Sequence, residues 1–409
     1  MISAELASIF PDKGGVYHWL FKAFGKRVAM TGIWLQWVNT MVWYPSFLSF
    51  IAGTCAYLID PSLVENKIYL SIFILLLFWG FTFVNLKGIY VSAQINNVCA
   101  LIGTVIPMLT LISLGIVWVI KGRPLQIEIS PSTLIPSLDE PQHWVSLVAI
   151  MASFLGIELA GVHVNDINNP RKNFPKAILI AACFMLVSMV GGSLAIAFVL
   201  PDTKISLISA VPEVLREILR SFGILPCFPI LTACIALGSM GNMINWLISP
   251  AKGLLHAAQF GFLPPFFTKT NKAGVAYNIL FAQAVVVSIF CLLFLFFPTI
   301  NQLYWFLTAL STELYMIMYL FMFAAAIRLH YNHTDRPKSF KIPGGSLGMW
   351  SNSILGCIGC TITIIVSFFP PPELQMESVS AYISYIALGN VLTLSPLLFF
   401  FLYQKHRTT

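Results

Sequence analysis

The chain has 409 residues, of which 58 % are hydrophobic and only 10 % are charged, and its formal net charge is +7. A soluble domain carries about 25 % charged residues, so this composition excludes a water-soluble protein and indicates a chain whose solvent is the lipid bilayer. The basic residues are spread over short loops, which argues against nucleic acid as a partner.

The hydrophobic runs predict ten transmembrane helices, because an α-helix needs about 20 apolar residues to cross the hydrocarbon core. These runs lie at residues 28–58, 67–85, 88–120, 143–164, 174–200, 225–256, 277–297, 302–329, 345–369 and 379–403. We therefore predict an all-α membrane protein that forms a single transmembrane domain. Alternate loops contain 17 of the 23 lysines and arginines, and the remaining loops contain six. The positive-inside rule then places both termini in the cytoplasm.

The segment FLGIELAGVHVN places Glu158 inside the fourth predicted span, between Gly156 and Gly161. A charge at the centre of a bilayer costs about 3 kcal/mol or more, so such carboxylates usually face a cavity and act there. A glycine inside a helix costs about 1 kcal/mol relative to alanine, and two of them around an acid favour an unwound segment that binds a ligand. The alternative is a protonated glutamate that bridges two helices.

Two further titratable residues are candidates for gating or proton coupling. His163 follows at the cytoplasmic end of the same span, and an imidazole titrates near neutral pH; the alternative is a histidine hydrogen-bonded at a helix end. Glu313 lies inside the eighth span without a flanking break, so a bridging role is equally compatible with its position. The sequence contains no cluster with metal-ligand spacing and no nucleophile motif, and we expect neither a cofactor nor an enzyme.

Four segments of the chain resemble transporters of the amino acid–polyamine–organocation superfamily. SAELASIFPDKGGVYHWL is similar to the end of their second helix, and GIELAGVHVNDINNPRKNFPKA to their sixth helix and the loop after it. GSMGNMINWLISPAKGLLHAAQFGFLPPFFTKTNKAGV resembles the eighth helix with its loop, and FKIPGG the segment before the eleventh. The H-V-N-D and N-W-x-x-x-P-A-K-G motifs are most similar to the glutamate/γ-aminobutyrate antiporter branch.

This resemblance implies a fold of two inverted five-helix repeats followed by two further helices. Residues 1–142 would be a remnant of the first repeat, 143–330 the second repeat and 345–403 the two last helices. The first helix and most of the second would then precede Met1, so the chain is expected to be truncated at its N-terminus.

The implied function is an antiporter or proton-coupled permease of a bacterial inner membrane that works by alternating access. Its partners would be an amino acid or amine and protons. The alternative is a non-transporting membrane protein, either a ligand sensor or an inactive remnant. The oligomeric state is left open, with a homodimer as one alternative.

The resemblance also implies a substrate site lined by the third, sixth, eighth and tenth helices of the family. The matching positions are Gln36, Asn39, Trp43, Ser153, Leu155, Gly156, Glu158, Met243, Trp246 and Tyr315. Glu158 would match a glutamate that serves in gating and proton sensing. Glu313 stands where the antiporter branch is apolar.

Overall fold

The computed structural model describes residues 1–10, 15–128, 130, 144–159, 167–201, 206–332, 340–371 and 378–408, and the regular elements in these ranges are helices. In chain order they are α1 (Ile2–Ile9), α2 (Val16–Phe24), α3 (Lys26–Ile59), α4 (Lys67–Asn85), α5 (Ile89–Ala100), α6 (Ile106–Ile120), α7 (Ser146–Ser153), α8 (Pro170–Val199), α9 (Ala210–Ser221), α10 (Phe228–Gln259), α11 (Tyr277–Phe296), α12 (Ile300–Asn332), α13 (Gly345–Ser367) and α14 (Val379–Thr408). A π-helical turn, Leu101–Val105, joins α5 to α6, and short 3-10 turns lie at Pro61–Glu65, Leu225–Cys227 and Pro265–Thr268.

Nine helical segments of the described chain are long and apolar enough to span a membrane, with α5 and α6 forming one of them. Their bounds agree within a few residues with nine of the ten predicted spans. The fourth predicted span, 143–164, is different: its described part is the short helix α7, a turn at residues 154–156 and a 3-10 turn at residues 157–159. The protein is thus an all-α, multi-pass membrane protein, as predicted.

The outer faces of the long helices are apolar and exposed. Leu76 of α4 is 70 % exposed, Phe296 of α11 79 % and Leu347 of α13 81 %. Monomeric soluble proteins rarely expose such large apolar surfaces. In a membrane protein, lipid tails cover them.

The centre of the bundle is formed by α3 and α12, which are the most buried of the long helices and pack against each other. Both carry polar side chains on buried positions, among them Gln36 and Asn39 on α3 and Glu313 on α12. Because lipid is as apolar as leucine, polar groups in a membrane bundle face inward, where they bind one another. This inward polar face positions the candidate site.

A short amphipathic helix, α9, lies outside every predicted span and was not predicted from the sequence. Val214 and Ile218 on its apolar face are fully buried. On its other side the Glu213 carboxylate accepts hydrogen bonds from the Tyr57 hydroxyl (2.6 Å) and the Ser209 hydroxyl (2.8 Å). These contacts fix α9 to the end of α3.

Candidate substrate site

The backbone is broken immediately before the buried glutamate. Helix α7 ends at Ser153, and Gly156 takes a φ of +88°, a backbone conformation that residues with a Cβ rarely adopt. A Cβ at Gly156 would also overlap the indole ring of Trp246. The predicted break is confirmed at Gly156, whereas Gly161 lies outside the described residues.

Glu158 lies at the end of this irregular segment and is 1 % exposed. Its Oε1 accepts a hydrogen bond from the Gln36 amide at 3.2 Å and another from the Tyr315 hydroxyl. Its Oε2 accepts one from the Tyr319 hydroxyl at 2.6 Å. The carboxyl group therefore joins the broken segment to α3 and α12, the two central helices.

Tyr319 connects the carboxyl group to the broken backbone and was not predicted from the sequence. Its hydroxyl accepts a hydrogen bond from the Gly156 N–H (3.4 Å) while it donates to Glu158. Its spacing in the sequence is the signal that could have identified it. Tyr319 follows the predicted site residue Tyr315 by four positions, and residues i and i+4 lie on the same face of a helix. The two rings meet edge to face with their centroids 5.1 Å apart.

The described partners of Glu158 are neutral hydrogen-bond donors. No lysine, arginine or histidine of the described residues forms an ion pair with it. Donors of this kind stabilise a carboxylate, and a hydroxyl can also accept the proton of a neutral acid. The site thus fits either protonation state of Glu158 and, among the described residues, leaves the negative charge without a cation.

An aromatic wall lies beside the broken segment. The rings of Trp43 (α3) and Trp246 (α10) are 5.3 Å apart, and Trp246 covers Gly156. The Tyr44 hydroxyl donates to the Trp246 carbonyl at 3.1 Å, which fixes this part of α10 against α3. Met243 is fully buried one helical turn before Trp246.

Other predicted site residues have different surroundings. The Asn39 amide donates to the Ser311 carbonyl of α12 at 2.6 Å, and Leu155 is half-buried against the core. Ser153 is exposed, and its hydroxyl donates to the Ala149 carbonyl of its own helix at 2.9 Å.

Of the two other candidates for gating or proton coupling, the structure places Glu313, which does not contact Glu158. Glu313 is 3 % exposed, and its Oε2 accepts a hydrogen bond from Asn390 of α14 at 3.0 Å. His163 lies outside the described residues.

A multi-pass bundle with a buried carboxylate on broken helical backbone has the architecture of a secondary transporter, which binds its substrate at such discontinuous helices. The comparisons with known proteins agree. The family model for amino acid permeases matches residues 1–392, so the chain belongs to the amino acid permease family.

Three relatives show the range of the resemblance. An uncharacterized transporter of Legionella pneumophila is 36 % identical over 392 residues, which cover 96 % of this chain and 84 % of that protein. A glutamate/gamma-aminobutyrate antiporter of Lactococcus lactis is 26 % identical, with 99 % and 81 % covered. A probable agmatine/putrescine antiporter of the same species is 24 % identical, with 84 % and 72 % covered. The chain is therefore an amino-acid transporter, of the antiporter or permease kind, and not an enzyme.

Proposed function

We propose that this protein exchanges amino acids or amines across a bacterial inner membrane by alternating access, with both termini in the cytoplasm. Glu158 is the carboxylate that binds the ammonium group of the substrate. The observation that carries this proposal is the position of Glu158: it is buried on broken backbone, held by donors from two other helices and paired with no described cation.

The chemistry of a buried carboxylate selects an ammonium ligand. A charge held in a site with little water interacts with an opposite charge far more strongly than it would in solution. Glutamate, γ-aminobutyrate, agmatine and putrescine, which appear in the names of the relatives, all carry an amino group. An entering ammonium would replace the donors from Tyr315 and Gln36, while Trp43 and Trp246 would cover the apolar part of the substrate.

A proton takes the place of the ammonium group when the site is empty. An unpaired carboxylate is costly at membrane depth, and protonation removes that cost. The Tyr315 and Tyr319 hydroxyls can reverse their hydrogen bonds when Glu158 gains a proton, because a hydroxyl is both donor and acceptor. Substrate and proton would then compete for one carboxyl group, which couples their movements.

The test is counterflow in proteoliposomes with radiolabelled amino acids and amines, comparing wild type with Glu158→Gln. We expect Glu158→Gln to lose counterflow by about 100-fold or more, because a hydrogen-bonded charge is worth about 1.5–3 kcal/mol and the ion pair with the substrate is lost as well. Glu65→Gln is the matched control, since Glu65 is an exposed glutamate at the end of a 3-10 turn.

The outcomes of this experiment separate the alternatives. Equal counterflow by wild type and Glu158→Gln would refute the role of Glu158. Binding of a labelled ligand by wild type without any flux would favour a ligand sensor, and absence of both would favour an inactive remnant.

A further inference from the structure

Glu313, like Glu5 and Glu158, is a buried glutamate of the described residues, and it faces away from Glu158. It lies in the middle of α12, two residues before Tyr315. Successive residues of an α-helix are rotated by about 100°, so these two side chains leave α12 on nearly opposite sides. Tyr315 meets Glu158, whereas Glu313 meets Asn390 on α14.

Helices α12 and α14 approach closely at this position. Gly389 is the neighbour of Asn390 in the chain, and a Cβ on it would lie 2.7 Å from a side-chain carbon of Leu310. The glycine thus allows the Asn390 carboxamide to reach Glu313, and its Nδ2 donates to Oε2 at 3.0 Å.

The remaining neighbours of Glu313 are neutral side chains. The Ser367 hydroxyl of α13 donates to the Ile364 carbonyl at 2.7 Å. The titratable side chain of α14 that interacts with Glu313 is the Tyr382 phenol, and no described lysine, arginine or histidine forms an ion pair with Glu313.

One acceptor in this cluster lacks a donor. The Oδ1 atom of Asn390 is buried and has no hydrogen-bond partner among the described residues. Buried polar atoms in native structures are nearly always hydrogen-bonded, and each exception requires an explanation. An ionised Glu313 offers no donor, but a protonated one does.

We propose that Glu313 is a proton-binding site distinct from the substrate site, a neutral carboxylic acid paired with the Asn390 carboxamide. Its Oε2 accepts from Asn390 Nδ2, and the proton on its Oε1 is donated to Asn390 Oδ1. One proton taken from water thus gives the orphaned Asn390 Oδ1 a donor, and no charge remains in the apolar interface. The proton stays bound during transport, so that Glu313 fastens α14 to α12 while Glu158 exchanges its own proton.

The test is infrared spectroscopy of the full chain in proteoliposomes at neutral pH. A protonated carboxylic acid has a carbonyl stretch well separated from the bands of a carboxylate, and it shifts in D2O. We expect such a band in Glu158→Gln, where no proton on Glu158 can contribute to it, moved by ¹³C-labelling of glutamate and lost when Glu313→Gln is added. This readout does not depend on transport, so it separates this proposal from the one on Glu158.

Further variants test the pairing of Glu313 with Asn390 through band frequency and melting temperature. Asn390→Leu removes the acceptor, and the band should move to higher frequency as the carbonyl group loses its hydrogen bonds. Glu313→Gln presents the same donor and acceptor to Asn390, so its melting temperature in detergent should match wild type, whereas that of Glu313→Leu should fall. Absence of a glutamate-labelled acid band in Glu158→Gln, or its persistence in the double variant Glu158→Gln/Glu313→Gln, would overturn the proposal.

Discussion

Two of the three buried glutamates in the described residues, Glu158 and Glu313, differ in backbone and in partners. Glu158 stands on irregular backbone after Gly156 and contacts side chains from α3 and α12. Glu313 stands inside the regular helix α12 and its carboxyl group is bound by Asn390 of α14. The first is surrounded by groups from helices that meet at a break, and the second belongs to one pair of continuous helices.

In the two proposals above, the same residue type serves two purposes. At a break, free backbone groups and a mobile segment allow the partners of a carboxyl group to exchange, as a transport cycle requires. Within a regular helix the backbone groups are already hydrogen-bonded, so only the side chain is free to bind a partner, as Glu313 binds Asn390. The predictions below test whether transport depends on the break at Gly156, on the hydrogen-bond donors to Glu158 and on the surroundings of α7.

The largest effect is expected from Gly156→Ala. The positive φ of Gly156 costs a residue with a Cβ about 1–2 kcal/mol, and the methyl group would also overlap the Trp246 indole. We expect loss of counterflow together with a lower melting temperature. The matched control is Gly80→Ala in α4, where a Cβ meets nothing within 4 Å and alanine should raise helix stability by about 1 kcal/mol.

A Gly156→Ala protein with wild-type transport would show that the break at residue 156 is not needed for function. Thermal unfolding measured on the same samples separates misfolding from a specific loss of transport.

A smaller effect is expected from Tyr319→Phe. The change removes the donor to Glu158 Oε2 at 2.6 Å and keeps the ring. Hydrogen bonds to charged groups contribute about 1.5–3 kcal/mol, which corresponds to a decrease of about 10- to 100-fold in counterflow. Tyr385→Phe is the control, because Tyr385 of α14 is 48 % exposed and its substitution should leave counterflow unchanged. If Tyr319→Phe transports like wild type, Tyr319 does not belong to the site.

The hydrophobic runs and the glycine break were sufficient to predict most of this fold. Length and hydropathy decide whether a segment spans a membrane, so nine spans agree with the structure. Helix α9 was missed because it is short and half polar, and its position depends on contacts with α3 that no local pattern encodes.

The candidate site was predicted less completely, because it too depends on contacts between distant segments that no local pattern encodes. The burial of Glu158 follows from the free-energy cost of a charge in the bilayer, and the break at Gly156 from the cost of a glycine inside a helix. Whether Glu158 meets Ser153 or Tyr319 depends on the direction in which its own side chain points after the helix has broken. A turn at residues 154–156 changes that direction, and the sequence does not specify the angle.

The smallest effect is expected from Ser153→Ala, which tests this point directly. Ser153 was predicted to bind substrate, yet its hydroxyl is exposed and donates to the Ala149 carbonyl of its own helix. An exposed hydroxyl of this kind is worth less than about 0.5 kcal/mol, so apparent substrate affinity in counterflow should stay within about 2-fold of wild type. A loss of affinity similar to that of Tyr319→Phe, without a change in melting temperature, would instead show that α7 turns Ser153 towards Glu158 during the transport cycle. The break would then reorient the whole of α7 and not only the segment that carries the carboxyl group.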